Sequence, residues 1–167
     1  MQLENADAIV LPGVGSFSAG SKNLAPFKEK ILELITDGLP VLGVCLGMQL
    51  FFPESEEGEG KGLALFKGKN VRLPSSVKVP HMGWNTLHMM RQNKLLEGIQ
   101  DEAYFYFVHS CYPIPMDMGI VCAETTYRVT FASVVAKQNI YGTQFHPEKS
   151  GESGLRILRN FIGIAKR

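Results

Sequence analysis

The run Val41-Leu42-Gly43-Val44-Cys45-Leu46-Gly47-Met48-Gln49-Leu50-Phe51 constrains this chain more tightly than any other part of it. Val41 to Val44 is a short apolar segment behind Pro40, which predicts a buried strand. The residues after Cys45 predict a helix with Gly47 in its first turn. Cys45 then sits at the bend between them. A Gly-x-Cys-x-Gly turn between strand and helix is the thiol counterpart of the Gly-x-Ser-x-Gly elbow, whose glycines relieve crowding around a strained nucleophile. Such a bend aims backbone N–H groups of the new helix at whatever Cys45 attacks, and the positive helix end favours thiolate over thiol. The pentapeptide alone is equally compatible with a buried core cysteine, because a free cysteine packs as a small hydrophobe.

A partner for the sulfur lies a hundred residues on, at Tyr141-Gly142-Thr143-Gln144-Phe145-His146-Pro147-Glu148-Lys149-Ser150. Ile140 to Phe145 alternates like a strand and delivers His146 at its carboxyl end. Pro147 stiffens the link to Glu148, so that a carboxylate can be held against the far imidazole nitrogen. Cysteine, histidine and an orienting acid are the parts of nucleophilic acyl transfer.

Gly43-Val44-Cys45-Leu46-Gly47-Met48-Gln49 together with Gln144-Phe145-His146-Pro147-Glu148 resembles the class I glutamine amidotransferases. Pro12-Gly13-Val14-Gly15-Ser16-Phe17, Pro80-His81-Met82-Gly83-Trp84-Asn85, Phe107-Val108-His109-Ser110 and His146-Pro147-Glu148-Lys149-Ser150 narrow the likeness to the glutaminase subunits of imidazole glycerol phosphate synthase. These motifs occur in the same order and at similar spacing over nearly the whole chain.

With 167 residues, of which 45% are apolar, the chain has length for one domain with a real core. A net charge of +1 gives no reason to expect nucleic acid or a membrane surface as partner. The three cysteines, Cys45, Cys111 and Cys122, are poor material for a disulfide scaffold and normal for a reducing compartment. No Cys-x-x-Cys or His-x-x-x-His spacing suggests a metal site, and no cofactor is expected. No apolar run is long enough to cross a bilayer, and Met1-Gln2-Leu3-Glu4-Asn5 lacks the order of a signal peptide, so a cytoplasmic protein is expected.

Ala8-Ile9-Val10-Leu11 predicts a buried parallel strand feeding the loop Pro12-Gly13-Val14-Gly15. With glycines at 13 and 15, that loop can lay a backbone N–H beside the nucleophile and complete an oxyanion hole. An amphipathic helix is expected from about Lys22 to Asp37, with Leu24, Phe27, Ile31, Leu34 and Ile35 on its apolar face. A right-handed strand–helix–strand crossover brings the Gly13 to Gly15 loop and Cys45 to one edge of the sheet. Pro53 to Lys61 reads as an acidic, glycine-rich surface loop. Beyond Gly62, short alternating pieces at Leu63 to Leu73, Thr86 to Met90, Tyr104 to Val108, Gly119 to Glu124 and Phe131 to Ala136 predict an antiparallel or mixed region. A short helix is expected near Lys94 to Ile99. A closing amphipathic helix runs from Glu152, with Lys166 and Arg167 placed favourably for its dipole.

The expected architecture is α/β: a three-layer, open, mostly parallel sheet with helices on both faces and an appended antiparallel or mixed strand region, all in one domain over 1–167. Family members carry a further strand–helix–strand unit ahead of the segment matching Ala6 to Leu11, so the resemblance implies N-terminal truncation and an uncovered sheet edge. It also implies a mechanism in which Cys45 attacks the carboxamide of L-glutamine, His146 moves the proton and Glu148 holds the imidazole. Leu46 and one of Gly13, Val14 or Gly15 then supply the oxyanion donors. Gln49, Glu57, Gly15 and the backbone of Ser110 and Cys111 contact glutamine, although Cys111 replaces the larger, often aromatic residue expected there, and Glu56 is an alternative to Glu57. Met82, Trp84, Asn85, Tyr106 and Lys149 face a partner, a (β/α)₈-barrel cyclase that receives ammonia in a heterodimer and makes imidazole glycerol phosphate for histidine synthesis. The isolated glutaminase is expected to be nearly idle until that partner binds its nucleotide substrate. Alternatives are a glutaminase serving anthranilate, guanylate or carbamoyl phosphate synthesis, an inactive homologue that only binds a partner subunit, and, more distantly, a cysteine peptidase.

Overall fold

The computed structural model describes residues 5–166. Met1 to Glu4, on which the reading of the N-terminus fell, and Arg167, expected at the end of the last helix, lie outside the described residues.

β1 (Ile9–Leu11), β2 (Val41–Val44) and β10 (Ile140–Thr143) are parallel neighbours, with Ile9 against Val41 and Ile140 against Val41 from the other side. From β10 outward the sheet turns antiparallel through β9 (Val129–Lys137), β8 (Val121–Tyr127) and β5 (His88–Met89), giving the order β1-β2-β10-β9-β8-β5. The sheet is therefore mixed, and its parallel half is the part that carries the cysteine and the histidine. Two ribbons stand beside it, β3 (Gly68–Arg72) with β7 (Cys111–Pro115) and β4 (His81–Thr86) with β6 (Tyr104–His109).

β2 is buried on both faces, which is why it reads as an unbroken apolar run rather than an alternation. Val41 joins one core with Phe17, Ile31, Ile35, Met48 and Phe51, while its neighbour Leu42 joins a second core with Phe105, Phe107, Phe145, Ile157 and Phe161. Each fully buried phenylalanine contributes about 2–3 kcal/mol by area removed from water. α1 (Phe17–Leu24) and α2 (Lys28–Thr36) cover the first face, and α4 (Gly151–Ala165) covers the second, so the three layers are present.

The first helical region begins earlier than its apolar spacing suggested. Ser16 caps α1 by accepting from the Ala19 N–H at 3.3 Å, and Pro26 interrupts the helix with a 3₁₀ turn at Ala25–Phe27 before α2 resumes. The segment Lys94–Leu96 is likewise a 3₁₀ turn, capped by Asn93. Strands β4 and β7 escaped the sequence reading because Gly83, Pro113 and Pro115 break their patterns. β1 is the edge strand of its sheet, and Val10 on it is half exposed.

Candidate active site

Cys45 occupies the bend between β2 and α3 (Leu46–Gln49), at φ 52° and ψ −105°. A non-glycine residue held there stores roughly 1–3 kcal/mol of backbone strain, which the surroundings must enforce. Packing enforces it. The Cys45 N–H donates to Thr143 O at 2.7 Å, its carbonyl accepts from the Gln49 N–H at 3.1 Å, and Gly47 lets α3 approach β1 so closely that a Cβ there would lie 1.8 Å from Leu11 O. Gly13 makes the matching approach from the loop: a Cβ on it would fall 2.4 Å from Leu46 Cβ and 2.9 Å from Gly47 N. The loop expected to complete an oxyanion hole is thus against the first residues after the cysteine. Leu46 is buried, whereas Val14 is 80% exposed and Gly15 has φ 116°.

The chain leaves β10 through Gln144 and Phe145 and presents His146, 1% exposed, at the start of the Pro147–Lys149 turn. Its Nδ1 is 2.7 Å from Glu148 Oε1, and its Nε2 is buried without a hydrogen-bond partner. Ser150 braces the turn by donating to His146 O at 2.6 Å and accepting from the Tyr106 N–H at 2.9 Å. His146 and Glu148 share with Gly13, Val14 and Leu46 a cleft of about 630 Å³.

The sulfur itself lies under the surface. Cys45 Sγ is 3.6 Å from Val108 O and accepts from Gln144 Nε2 at 3.5 Å, and no hydrogen bond joins it to His146. Burial pushes its thiol up to about 12, against the lowering influence of the Leu46 N–H and the Gln144 amide. The helix end does favour thiolate through the Leu46 N–H, but it does not decide the ionisation. α3 is four residues long, and desolvation outweighs what its N–H groups supply.

Gln49 is buried and donates from Nε2 to Cys111 O at 2.8 Å and to Gln144 Oε1 at 3.3 Å. Glu57, half-buried, accepts the Phe17 N–H at the start of α1 at 2.6 Å, and its charge helps to raise the thiols of both Cys111 and Cys45. Glu56, the alternative acid, is exposed and engaged elsewhere, with Lys69 at 3.0 Å and the Arg72 N–H at 3.1 Å. Ser110 O accepts from the Leu73 N–H, which fixes the entry to β7.

Among the residues assigned to a partner face, Met82 and Trp84 are exposed, and Trp84 stands edge-on to Tyr106 with centroids 5.9 Å apart. Lys149 is exposed on the His146 turn. Asn85 is different. It belongs to the opposite face of β4, where its amide donates to Thr126 O at 3.0 Å and contacts His81 Nε2 at 3.4 Å. Sequence reasoning gave no role to Gln144 or to the Val108 carbonyl, both of which touch the sulfur. A glutamine in an otherwise apolar, fully buried strand end was the available signal for the first; a carbonyl leaves none.

Ligand atoms of His88, Asp101 and Glu102 lie within 4.8 Å of one another, but all three residues are exposed. No helix among the described residues is long and apolar enough to cross a membrane.

The glutamine amidotransferase class-I family model matches residues 1–164. The chain belongs to that family. Among class-I amidotransferases of known role, it is 51% identical to the imidazole glycerol phosphate synthase subunit HisH of Halobacterium salinarum, over 96% of this chain and 77% of that protein. It is 52% identical to the HisH subunit of Pyrococcus furiosus, over 96% of this chain and 83% of that one. The structure of PurLQS from Thermotoga maritima superposes with a TM-score of 0.74 at 19% identity, covering 98% of this chain and 82% of that chain, which shows the shared fold. The amidotransferase family rests on glutamine hydrolysis, and the chain is an enzyme of that class.

Proposed function

We propose that this chain is the glutaminase subunit of an imidazole glycerol phosphate synthase, with Cys45, His146 and Glu148 as its catalytic residues. The reading is carried by one conjunction. A chain 51–52% identical to HisH subunits holds a strained cysteine at a strand–helix bend beside a parallel strand whose continuation presents a buried histidine paired with a carboxylate.

In the proposed reaction the Cys45 thiol gives its proton to His146 Nε2 as sulfur bonds to the carboxamide carbon of L-glutamine. N–H groups of Leu46 and the Gly13–Val14 segment receive the oxyanion of the tetrahedral adduct. His146 returns the proton to the departing nitrogen, the C–N bond breaks, and ammonia leaves a thioester on Cys45. Water then gives a proton to His146 and attacks that thioester. The C–S bond breaks, the thiol recovers its proton, and glutamate is released. Glu148 holds the imidazole through Nδ1 throughout. Gln49, Gly15 and the backbone at Ser110 and Cys111 hold the substrate, with Glu57 in the place suited to its α-ammonium group.

The resting arrangement supports an idle isolated subunit. The thiol is protonated at neutral pH, and His146 Nε2 has no bond to it. Lys149 on the His146 turn, with Met82, Trp84 and Tyr106 beside it, is the face proposed for a (β/α)₈-barrel cyclase partner that receives the ammonia. The test is glutamate formation from L-glutamine by this chain alone, with a barrel cyclase, and with the cyclase plus its nucleotide substrate. The expected result is weak activity alone, strong activation in the ternary mixture, and none with Cys45→Ala. Activity no greater than that of Cys45→Ala in every mixture would overturn the proposal.

A further inference from the structure

A second pair of histidines lies behind the proposed glutamine site. His81 and His109 face each other across the β4–β6 ribbon, both under 6% exposed, with His81 Nδ1 3.0 Å from His109 Nε2. Their protons can be placed from the groups at either end. His109 Nδ1 lies 2.9 Å from Cys111 O, which can only accept, so Nδ1 bears the hydrogen and Nε2 offers a lone pair. His81 must then donate from Nδ1, leaving its Nε2 to accept from the Asn85 amide. The series of donors runs one way, from Asn85 through His81 and His109 to the Cys111 carbonyl.

That carbonyl has a second donor. Gln49 Nε2 reaches it at 2.8 Å, and Gln49 also bonds Gln144, whose amide donates to Cys45 Sγ. The His109 N–H and the Gln49 amide therefore occupy one acceptor from two sides, and the position of each sets the other. The rings are held by stacking as well as by hydrogen bonds: His81 lies nearly parallel to Tyr127 at 4.1 Å and to Phe107 at 5.1 Å. Burial keeps both imidazoles uncharged at neutral pH, His81 down to about 4 and His109 to about 3, so the donor order does not change in the working range.

We infer that His81 and His109 are positioning residues for glutamine binding, fixing the Cys111 carbonyl and through it the Gln49 amide. This rests on the site proposed above. Neither ring touches the reacting atoms. Their contribution is to hold the Cys111 peptide and, through it, the Gln49 side chain in a single orientation, which leaves the Gln49 amide oxygen to meet the substrate.

The test measures how fast Cys45 is alkylated by a diazo ketone analogue of L-glutamine, as a function of its concentration, and separately by iodoacetamide, which needs no recognition. His109→Leu removes the donor to Cys111 O and is expected to raise the half-saturating concentration of the analogue about tenfold, the value of one hydrogen bond to a buried acceptor. His109→Asn, whose amide can stand where Nδ1 stood, should recover to within about threefold of the original. Iodoacetamide rates should agree within about twofold across the series. Should His109→Leu not fold, His81→Phe keeps the ring stack while removing the Nδ1 donor to His109 and the Nε2 acceptor of the Asn85 amide, and a shift of about threefold is expected. Equal shifts in His109→Leu and His109→Asn, or no shift in either and in His81→Phe, would overturn the positioning role alone. Labelling of the unmodified chain that fails to saturate with the analogue would overturn the glutamine site and the dyad together.

Discussion

The molecule contains two buried histidine sites that differ in how fully they are satisfied. Around His81 and His109, three of the four ring nitrogens meet fixed partners and the fourth meets the Asn85 amide at 3.4 Å. At His146, Nδ1 is held by Glu148 at 2.7 Å, and Nε2 is buried with nothing to bond. Leaving a buried polar atom unpaired costs about 1–3 kcal/mol. A fold that satisfies one pair so thoroughly and leaves the other open, next to a strained cysteine, has kept that cost where a proton has to move. The difference separates a group that acts from groups that hold other groups still.

The comparison breaks most visibly if the open nitrogen is dispensable. His146→Ala should reduce glutamate formation in the presence of the partner by about 10⁴-fold, because proton transfer to the leaving nitrogen and from water both pass through it. A loss of less than tenfold would place the proton carrier elsewhere. Glu148→Gln is the milder version. The amide oxygen can still accept from Nδ1, but the negative charge that supports an imidazolium is gone, and a fall of about 10²-fold in kcat with little change in KM is expected. Because the Glu148 carboxylate is half exposed, it has solvent competing for it, which is why the effect is set below that of the histidine.

Much of this site was legible in the sequence because glycines and a proline mark backbone geometry. Gly43 and Gly47 around Cys45 announced the bend, and Pro147 between His146 and Glu148 announced a short rigid link; both geometries are present. Of the parallel strands, β1 and β2 were readable as unbroken apolar runs and β10 by the alternation from Ile140 to Phe145. Among the antiparallel strands, β5, β6, β8 and β9 overlap the alternating pieces read from the sequence, whereas β4 and β7 do not, since Gly83, Pro113 and Pro115 interrupt the alternation on which strand recognition depends. The ionisation of Cys45 was read in the wrong direction. A sequence shows that a helix starts after a cysteine, but it does not show that the helix is one turn long or that Val108 and Gln144 close over the sulfur. The orientation of Asn85 was hidden for a related reason: alternation assigns a face only once the pairing of β4 with β6 is known.

The smallest effect tests the satisfied pair through stability rather than turnover. Both His81 and His109 have their pKa lowered by burial, from 6.5 to about 4 and about 3. Between pH 6.5 and about 4 the unfolded chain therefore binds protons that the folded chain refuses. Stability conferred by the neutral pair is present above pH 6.5 and is lost as the pH falls. Each histidine should contribute a slope of at most about 1.4 kcal/mol per pH unit in that window, and the loss should continue below pH 4 for His109 alone. Denaturant unfolding followed by circular dichroism between pH 7 and pH 4 measures it. His81→Phe cannot take up a proton at that position and keeps the stack on Tyr127 and Phe107, so its curve should be flatter by the share of one histidine. Parallel curves for the two proteins would mean that His81 is already protonated in the folded state. The donor order that distinguishes this pair from His146 would then be wrong at its Asn85 end.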